Sequence, residues 1–151
     1  MRDLVIDASV AVKWISPGEP SSDRATLMLM DYRRGQVSFL VPLFWQYEIA
    51  NSINKAVERG RLSEAEGNDA LEALLSLDVR FEPFPPPRTS YSLARRFQRS
   101  VYDSLYLEVA ERCGCEFWTG DLKLYNAGKD RHAFVRWIGD YRTLQEAREE
   151  Q

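Results

Sequence analysis

At 151 residues, 44% hydrophobic and 28% charged, the chain has the size and composition of one soluble globular domain, with no stretch polar or proline-rich enough to read as disordered. A net charge of −3 speaks against nucleic-acid binding through a bulk basic excess, and no apolar run reaches the roughly 18 residues of a membrane span or has the form of a signal peptide. Cys113 and Cys115 are too few for a zinc site and read as reduced thiols of a cytoplasmic protein, while the single histidine, His132, leaves acidic side chains to carry any catalysis.

Leu4-Val5-Ile6 is an apolar run that predicts a buried parallel strand ending at Asp7. Ser9 is placed to cap a following helix through Val10, Ala11, Trp14 and Ile15, which Pro17-Gly18 breaks. A second helix is expected from Ser21 to Arg34 with Gly35 as its stop, then a strand over Val37 to Val41. Pro42 suits the first turn of a third helix, in which Trp45, Ile49, Ile53 and Val57 repeat with helical period up to Gly60. Ser63 and Glu66 have the form of a capping box and open a fourth helix.

Val79-Arg80-Phe81 reads as a short strand ahead of the Pro85-Pro86-Pro87 run, which cannot continue a ladder. Helices are expected from Thr89 to Gln98 and from Tyr102-Asp103 to Cys113, closed by Gly114. A strand over Glu116 to Thr119 stops at Gly120-Asp121, a short helix passes through Leu124, and Phe134 to Ile138 makes the last strand. Residues 142–151 form a charged tail expected to fray, which leaves residues 1–141 as the folded domain.

Strands that alternate with helices imply an α/β fold, a three-layer α/β/α sandwich around a mostly parallel twisted sheet. Ligands of such sheets bind beyond the carboxyl ends of the strands. Asp7 and Asp121 each follow a strand, Asp103 opens a helix, and Glu48 lies about one and a half turns into another. Each has a local alternative: Asp103 as a helix cap, Asp121 as a turn residue, Glu48 as a solvated acid. Gathered in one crevice, four carboxylates repel one another and need protons or cations to compensate. Hard oxygen ligands favour Mg²⁺ or Mn²⁺, which activate water and stabilise charge on a phosphodiester without any histidine. Arg33, Arg34, Arg95, Arg96, Arg99, Lys123, Lys129 and Arg131 are available to hold phosphates, and each also reads as a solvated surface charge.

Four segments, Val-Ile-Asp-Ala-Ser at 5–9, Trp-Gln-Tyr-Glu-Ile-Ala-Asn at 45–51, Val-Tyr-Asp-Ser-Leu-Tyr-Leu at 101–107 and Phe-Trp-Thr-Gly-Asp-Leu-Lys-Leu at 117–124, together resemble the PIN domain nucleases, and within them the VapC toxins of toxin–antitoxin pairs. That resemblance implies metal-coordinating catalytic acids at Asp7, Glu48, Asp103 and Asp121, with Ser9, Thr119 and Asn126 as supporting polar groups. It further implies Mg²⁺ or Mn²⁺ as cofactor, a structured RNA such as tRNA as substrate, a VapB-like antitoxin and a homodimer. Many relatives carry one more acid shortly after the fourth; here Leu122, Lys123 and Leu124 stand there.

Two other readings compete with this one. A haloacid-dehalogenase-like phosphatase needs a second Asp two residues after the first, where this chain has Ser9, and a receiver domain needs paired acids near the first strand. A PIN-like module that binds RNA or protein without cutting would be marked by loss of acids, and all four are present.

Overall fold

The structure, a computed structural model, describes every residue except Pro17 and Ala133. At its centre lies β1 (Arg2–Ile6), whose Leu4, Val5 and Ile6 are fully buried. An unbroken apolar run suits a strand covered on both faces. β1 pairs on one side with β2 (Val37–Pro42), Val5 opposite Leu40, and on the other with β4 (Glu116–Thr119), Val5 opposite Phe117. β3 (Arg80–Glu82) adds to β2 and β5 (Val135–Trp137) to β4, which gives the order β3-β2-β1-β4-β5. The mostly parallel sheet expected from the sequence is parallel at every described pairing.

Each connection is helical. α1 (Ala8–Ile15) and α2 (Ser22–Arg33) join β1 to β2, and α3 (Phe44–Glu58) and α4 (Glu64–Leu75) join β2 to β3. α5 (Pro87–Phe97) and α6 (Val101–Cys113) carry the chain back across the sheet to β4, and α7 (Leu122–Gly128) leads to β5. Parallel crossovers are right-handed, so connections running outward from β1 and those running the other way cover opposite faces. The packing agrees: α1 lies on α3 and α2 on β2, while α6 spans β1, β2 and β4 with α5 behind it. Trp45 and Ile49 of α3, Phe97 of α5 and Tyr106 and Leu107 of α6 fill the two interlayer spaces. Burial of each such side chain is worth roughly 1.5–3 kcal/mol. Because the chain leaves β1 and β4 in opposite directions, a crevice opens between their carboxyl ends.

Three local expectations differ from the structure. Pro42 closes β2, opposite Glu82, instead of opening α3, since a strand end tolerates a missing N–H as well as a first helical turn does. Ser9 lies inside α1, where its hydroxyl serves long-range partners and not a cap. The tail is helical: after a 3-10 turn at Ile138–Asp140, Thr143 and Glu146 form a capping box that starts α8 (Leu144–Glu149). Glu146 also pairs with Arg24 of α2 at 3.0 Å, and the buried Tyr141 hydroxyl donates to the buried Asp31 carboxylate at 2.8 Å. Among the described residues, no helix is long and apolar enough to cross a membrane.

Candidate active site

Half of the candidate site is built on strand ends. Asp7 follows β1 and is buried, and both of its oxygens accept hydroxyl bonds: Ser9 Oγ donates to Oδ1 at 2.5 Å and Thr119 Oγ1 donates to Oδ2 at 2.6 Å. The same two hydroxyls also accept backbone bonds, Ser9 from the Gly120 N–H across the crevice at 2.8 Å and Thr119 from the Asp121 N–H of its own segment at 3.0 Å. Two side chains therefore lock the end of β1 to the end of β4. Asp121 in turn caps α7, its Oδ1 accepting from the Leu124 N–H at 3.1 Å, so the local turn role and a place in the crevice are compatible. Gly120 leaves room at this join for the end of the Lys13 side chain, which a Cβ there would displace, and that Cβ would come within 3.3 Å of Ser9 Oγ. Lys13 is buried beneath it, with its ammonium donating to the Pro20 carbonyl at 2.7 Å.

Helices bring the other half. Phe44 at the start of α3 stacks on Tyr102 at the start of α6, ring centroids 4.9 Å apart, which joins the two helix ends that carry Glu48 and Asp103. Ser100 caps α6 by accepting from the Asp103 N–H at 3.0 Å, which frees the Asp103 side chain from the capping role considered above. The Arg99 guanidinium donates from Nε to Asp103 Oδ2 at 3.1 Å, while its Nη2 stands 3.0 Å from that oxygen and 3.6 Å from Asp121 Oδ2.

The four acids feel one another's charge. Burial pushes Asp7 up to about 6, against the pull of the Ser9 and Thr119 hydroxyls and with the help of Asp121. Glu48 is pushed up to about 7 by burial; the Tyr106 hydroxyl pulls it down, and Asp7, Asp103 and Asp121 raise it. Asp103 is also raised, burial outweighing the Arg99 charge. The Tyr106 phenol is driven far above its ordinary range by burial and by the charge of Glu48 and Asp7. Although Tyr106 and Glu48 influence each other, their buried oxygens, the phenol and Glu48 Oε1, both lack a hydrogen-bond partner as they stand.

This donor set fits a hard divalent cation in kind: it offers carboxylate oxygens only, mutually repelling, one of them buried and unpartnered. Among the described residues, no three His, Cys, Asp or Glu side chains already close around a point where an ion would sit, and Asp103 is turned onto Arg99 instead. Ser9 and Thr119 touch Asp7, whereas Asn126 lines a neighbouring cavity of about 310 Å³ with Gln98, Arg99, Asp130 and Arg131. His132 is packed between Phe97 and Phe134. Sequence reasoning missed Lys13, Ser100 and Tyr106, and gave Arg99 no place among the acids. The available signals were the spacing of four from Ser9 to Lys13 and from Arg99 to Asp103, which puts each pair on one helical face or across a cap.

Several known proteins are similar to this chain over most of its length. Ribonuclease VapC9 of Mycobacterium tuberculosis is 29% identical over 134 residues, 83% of this chain and 91% of the relative. Ribonuclease VapC3 of Pyrobaculum aerophilum is 28% identical over 126 residues, 80% of this chain and 91% of the relative. Among solved structures, PAE2754 from Pyrobaculum aerophilum shares the fold with a TM-score of 0.64 at 22% identity, over 91% of each chain. VapC20 of Mycobacterium tuberculosis, described as a sarcin-ricin loop cleaving toxin, does so with a TM-score of 0.60 at 17% identity, over 83% of this chain and 95% of that one. The profile of the PIN domain matches residues 4–143, from the first strand to the cap of α8, and the chain belongs to the PIN domain family.

Proposed function

We propose that this protein is a metal-dependent endoribonuclease, the toxin of a VapBC-type toxin–antitoxin pair. One observation carries the reading: four carboxylates distant in sequence share a crevice at the switch point of the sheet, where burial, helped by the neighbouring carboxylates, raises Asp7, Glu48 and Asp103. Membership of the PIN domain family and relatives named ribonuclease VapC support it.

Asp7, Glu48, Asp103 and Asp121 would hold the cation, Mg²⁺ or Mn²⁺. A divalent ion bound there supplies Lewis acidity, lowering the pKa of water and stabilising charge on phosphate oxygens. Ser9 and Thr119 fix both oxygens of Asp7 and so its direction. Glu48 Oε1, buried without a donor, is the acid most in need of a counter-charge. Arg99 brings to the same crevice a planar guanidinium suited to a phosphate oxygen. RNA is the substrate, with tRNA or another structured RNA as its class, and a VapB-like antitoxin is the partner that covers the site. The working form is a cytoplasmic homodimer of a nuclease unit at residues 1–141, to which the α8 segment, 142–151, is appended.

The reading is tested with Asp7→Asn, which keeps the shape of the side chain and removes its charge. Its circular dichroism should match the parent while Mn²⁺-dependent RNA cleavage drops by about a thousandfold or more. Cleavage at the parental rate by the variant would remove Asp7 from the reaction, and no cleavage by the partner-free parent with either Mg²⁺ or Mn²⁺ would leave a non-catalytic RNA- or protein-binding module as the better account.

A further inference from the structure

Between Glu82 and Asp103 the chain has no acidic residue, and in a protein of net charge −3 that stretch carries four arginines, Arg88, Arg95, Arg96 and Arg99. Aromatic side chains are interleaved with them, and Tyr91 is 62% exposed. α5 explains the exposure. Ser90, Leu93, Ala94 and Phe97 face the core, so Tyr91, Arg95 and Gln98, at successive spacings of four and three, run along the outward side. The helix ends at Gln98 in a left-handed conformation, and the chain turns there to place Arg99 on Asp103 and Asp121.

Beside this outward face lies an open cavity of about 520 Å³, lined by Tyr91, Ala94, Arg95, Gln98, Arg99 and Val101, with no carboxylate in its wall. It shares Arg99 with the acid crevice, so the two are separated by one side chain. Arg96 is engaged by Glu111 at 3.2 Å, whereas among the described residues no carboxylate stands within 4.0 Å of Arg88 or Arg95. A cation without a counter-ion, an exposed phenol ring and an amide therefore line a cavity whose wall also holds Arg99, the residue that pairs with Asp103. The complementary ligand is a polyanion whose units each present a flat ring, with phosphate at regular intervals. Single-stranded RNA has that chemistry, and in a duplex the base faces would be hidden.

We propose that this face of α5 is a nucleotide subsite, which seats the unpaired RNA residue flanking the scissile phosphate. Tyr91 stacks on its base, Arg95 pairs with its backbone phosphate and Gln98 meets the base edge. The inference rests on the ribonuclease reading and adds the side chains that seat the nucleotide beside the acids.

The test places Tyr91→Ala and Arg95→Ala separately into the Asp7→Asn chain, so that RNA stays intact. Fluorescence anisotropy then follows binding of a labelled, mixed-sequence single-stranded oligoribonucleotide across a series of NaCl concentrations. Arg95→Ala should weaken binding about tenfold and lower the slope of log affinity against log salt by about 0.7, the share of one phosphate contact on a single strand. Tyr91→Ala should weaken it by roughly 5- to 100-fold with the slope unchanged, as loss of a stacked base does. Arg59→Ala, at the far end of α3, serves as the charge control and should do neither. Affinities equal to that control would overturn the proposal, as would intact RNA binding together with an altered oligomeric state, which would assign the face to a second copy. If the parent cuts RNA while both variants bind like it, this subsite fails and the ribonuclease reading stands; if the parent cuts none, the reading beneath it fails.

Discussion

The strand-borne and helix-borne halves of the crevice are built on different terms. Asp7 has each oxygen held by a hydroxyl, and each hydroxyl is itself held by a backbone N–H, so that half has its geometry without any added ion. Glu48 and Asp103 sit on helix ends joined by an aromatic stack; one has an oxygen with no partner, and the other leans on a guanidinium. One half is preorganised and the other waits for positive charge. Fixed donors cost nothing to rearrange when a ligand arrives, while unpaired charge in a buried place makes affinity for a cation.

The largest effect expected from breaking this contrast comes from Thr119→Val, which keeps shape but deprives Asp7 Oδ2 and the Asp121 N–H of their partner at once. Urea unfolding should show a loss of about 1–3 kcal/mol. Cleavage should fall about 10- to 100-fold, and parental values in both measurements would mean that the hydroxyl lock does not position Asp7. Glu48→Gln probes the other half through pH. Carboxyls whose folded pKa is raised contribute stability that is complete below their ordinary values of 3.8 and 4.5 and is lost as the pH climbs through about 6 for Asp7 and about 7 for Glu48. The metal-free protein should therefore melt at a lower temperature near about pH 8 than near about pH 5, and Glu48→Gln should remove on the order of 2 kcal/mol of that difference. A variant with the parental pH slope would refute it.

Smaller still is the expected result of Arg99→Gln. With the guanidinium gone from Asp103 and Asp121, Mn²⁺ should bind the metal-free protein up to about tenfold more tightly by calorimetry; weaker binding would mean that Arg99 assembles the acids instead of competing for them. Ser63→Ala lies outside the crevice and sharpens the comparison by touching neither half. Removal of its capping box should cost about 1 kcal/mol with cleavage unchanged.

What could be read from the chain beforehand divides along the range of the interactions. β1, β2 and β4 announced themselves as unbroken apolar runs, since strands covered by helices on both faces need no alternation. Asp7 and Asp121 followed from strand ends and the parallel sheet. Ser9 was read as a cap because serine at a helix start does that locally; its true partner, the Gly120 N–H, is 111 residues away and leaves no local trace. Arg99 was one basic residue among many, and only the turn after α5 reveals its place between two acids. The tail was legible and overlooked: Thr143 and Glu146 repeat the pattern of Ser63 and Glu66, but the charge of the segment masked the cap. Asn126, expected near the acids, lines the adjoining cavity, for which motif position carries no information.

The bond from Thr119 to Asp7 closes a loop of 112 residues around the middle strand. Contacts of that span form late, because loop-closure entropy must be met before they contribute. A nascent chain that has emerged only as far as α6 holds three of its four acids and lacks the hydroxyl that would aim the first of them. The order of synthesis thus keeps the four-acid crevice from closing until β4 and Asp121 have emerged.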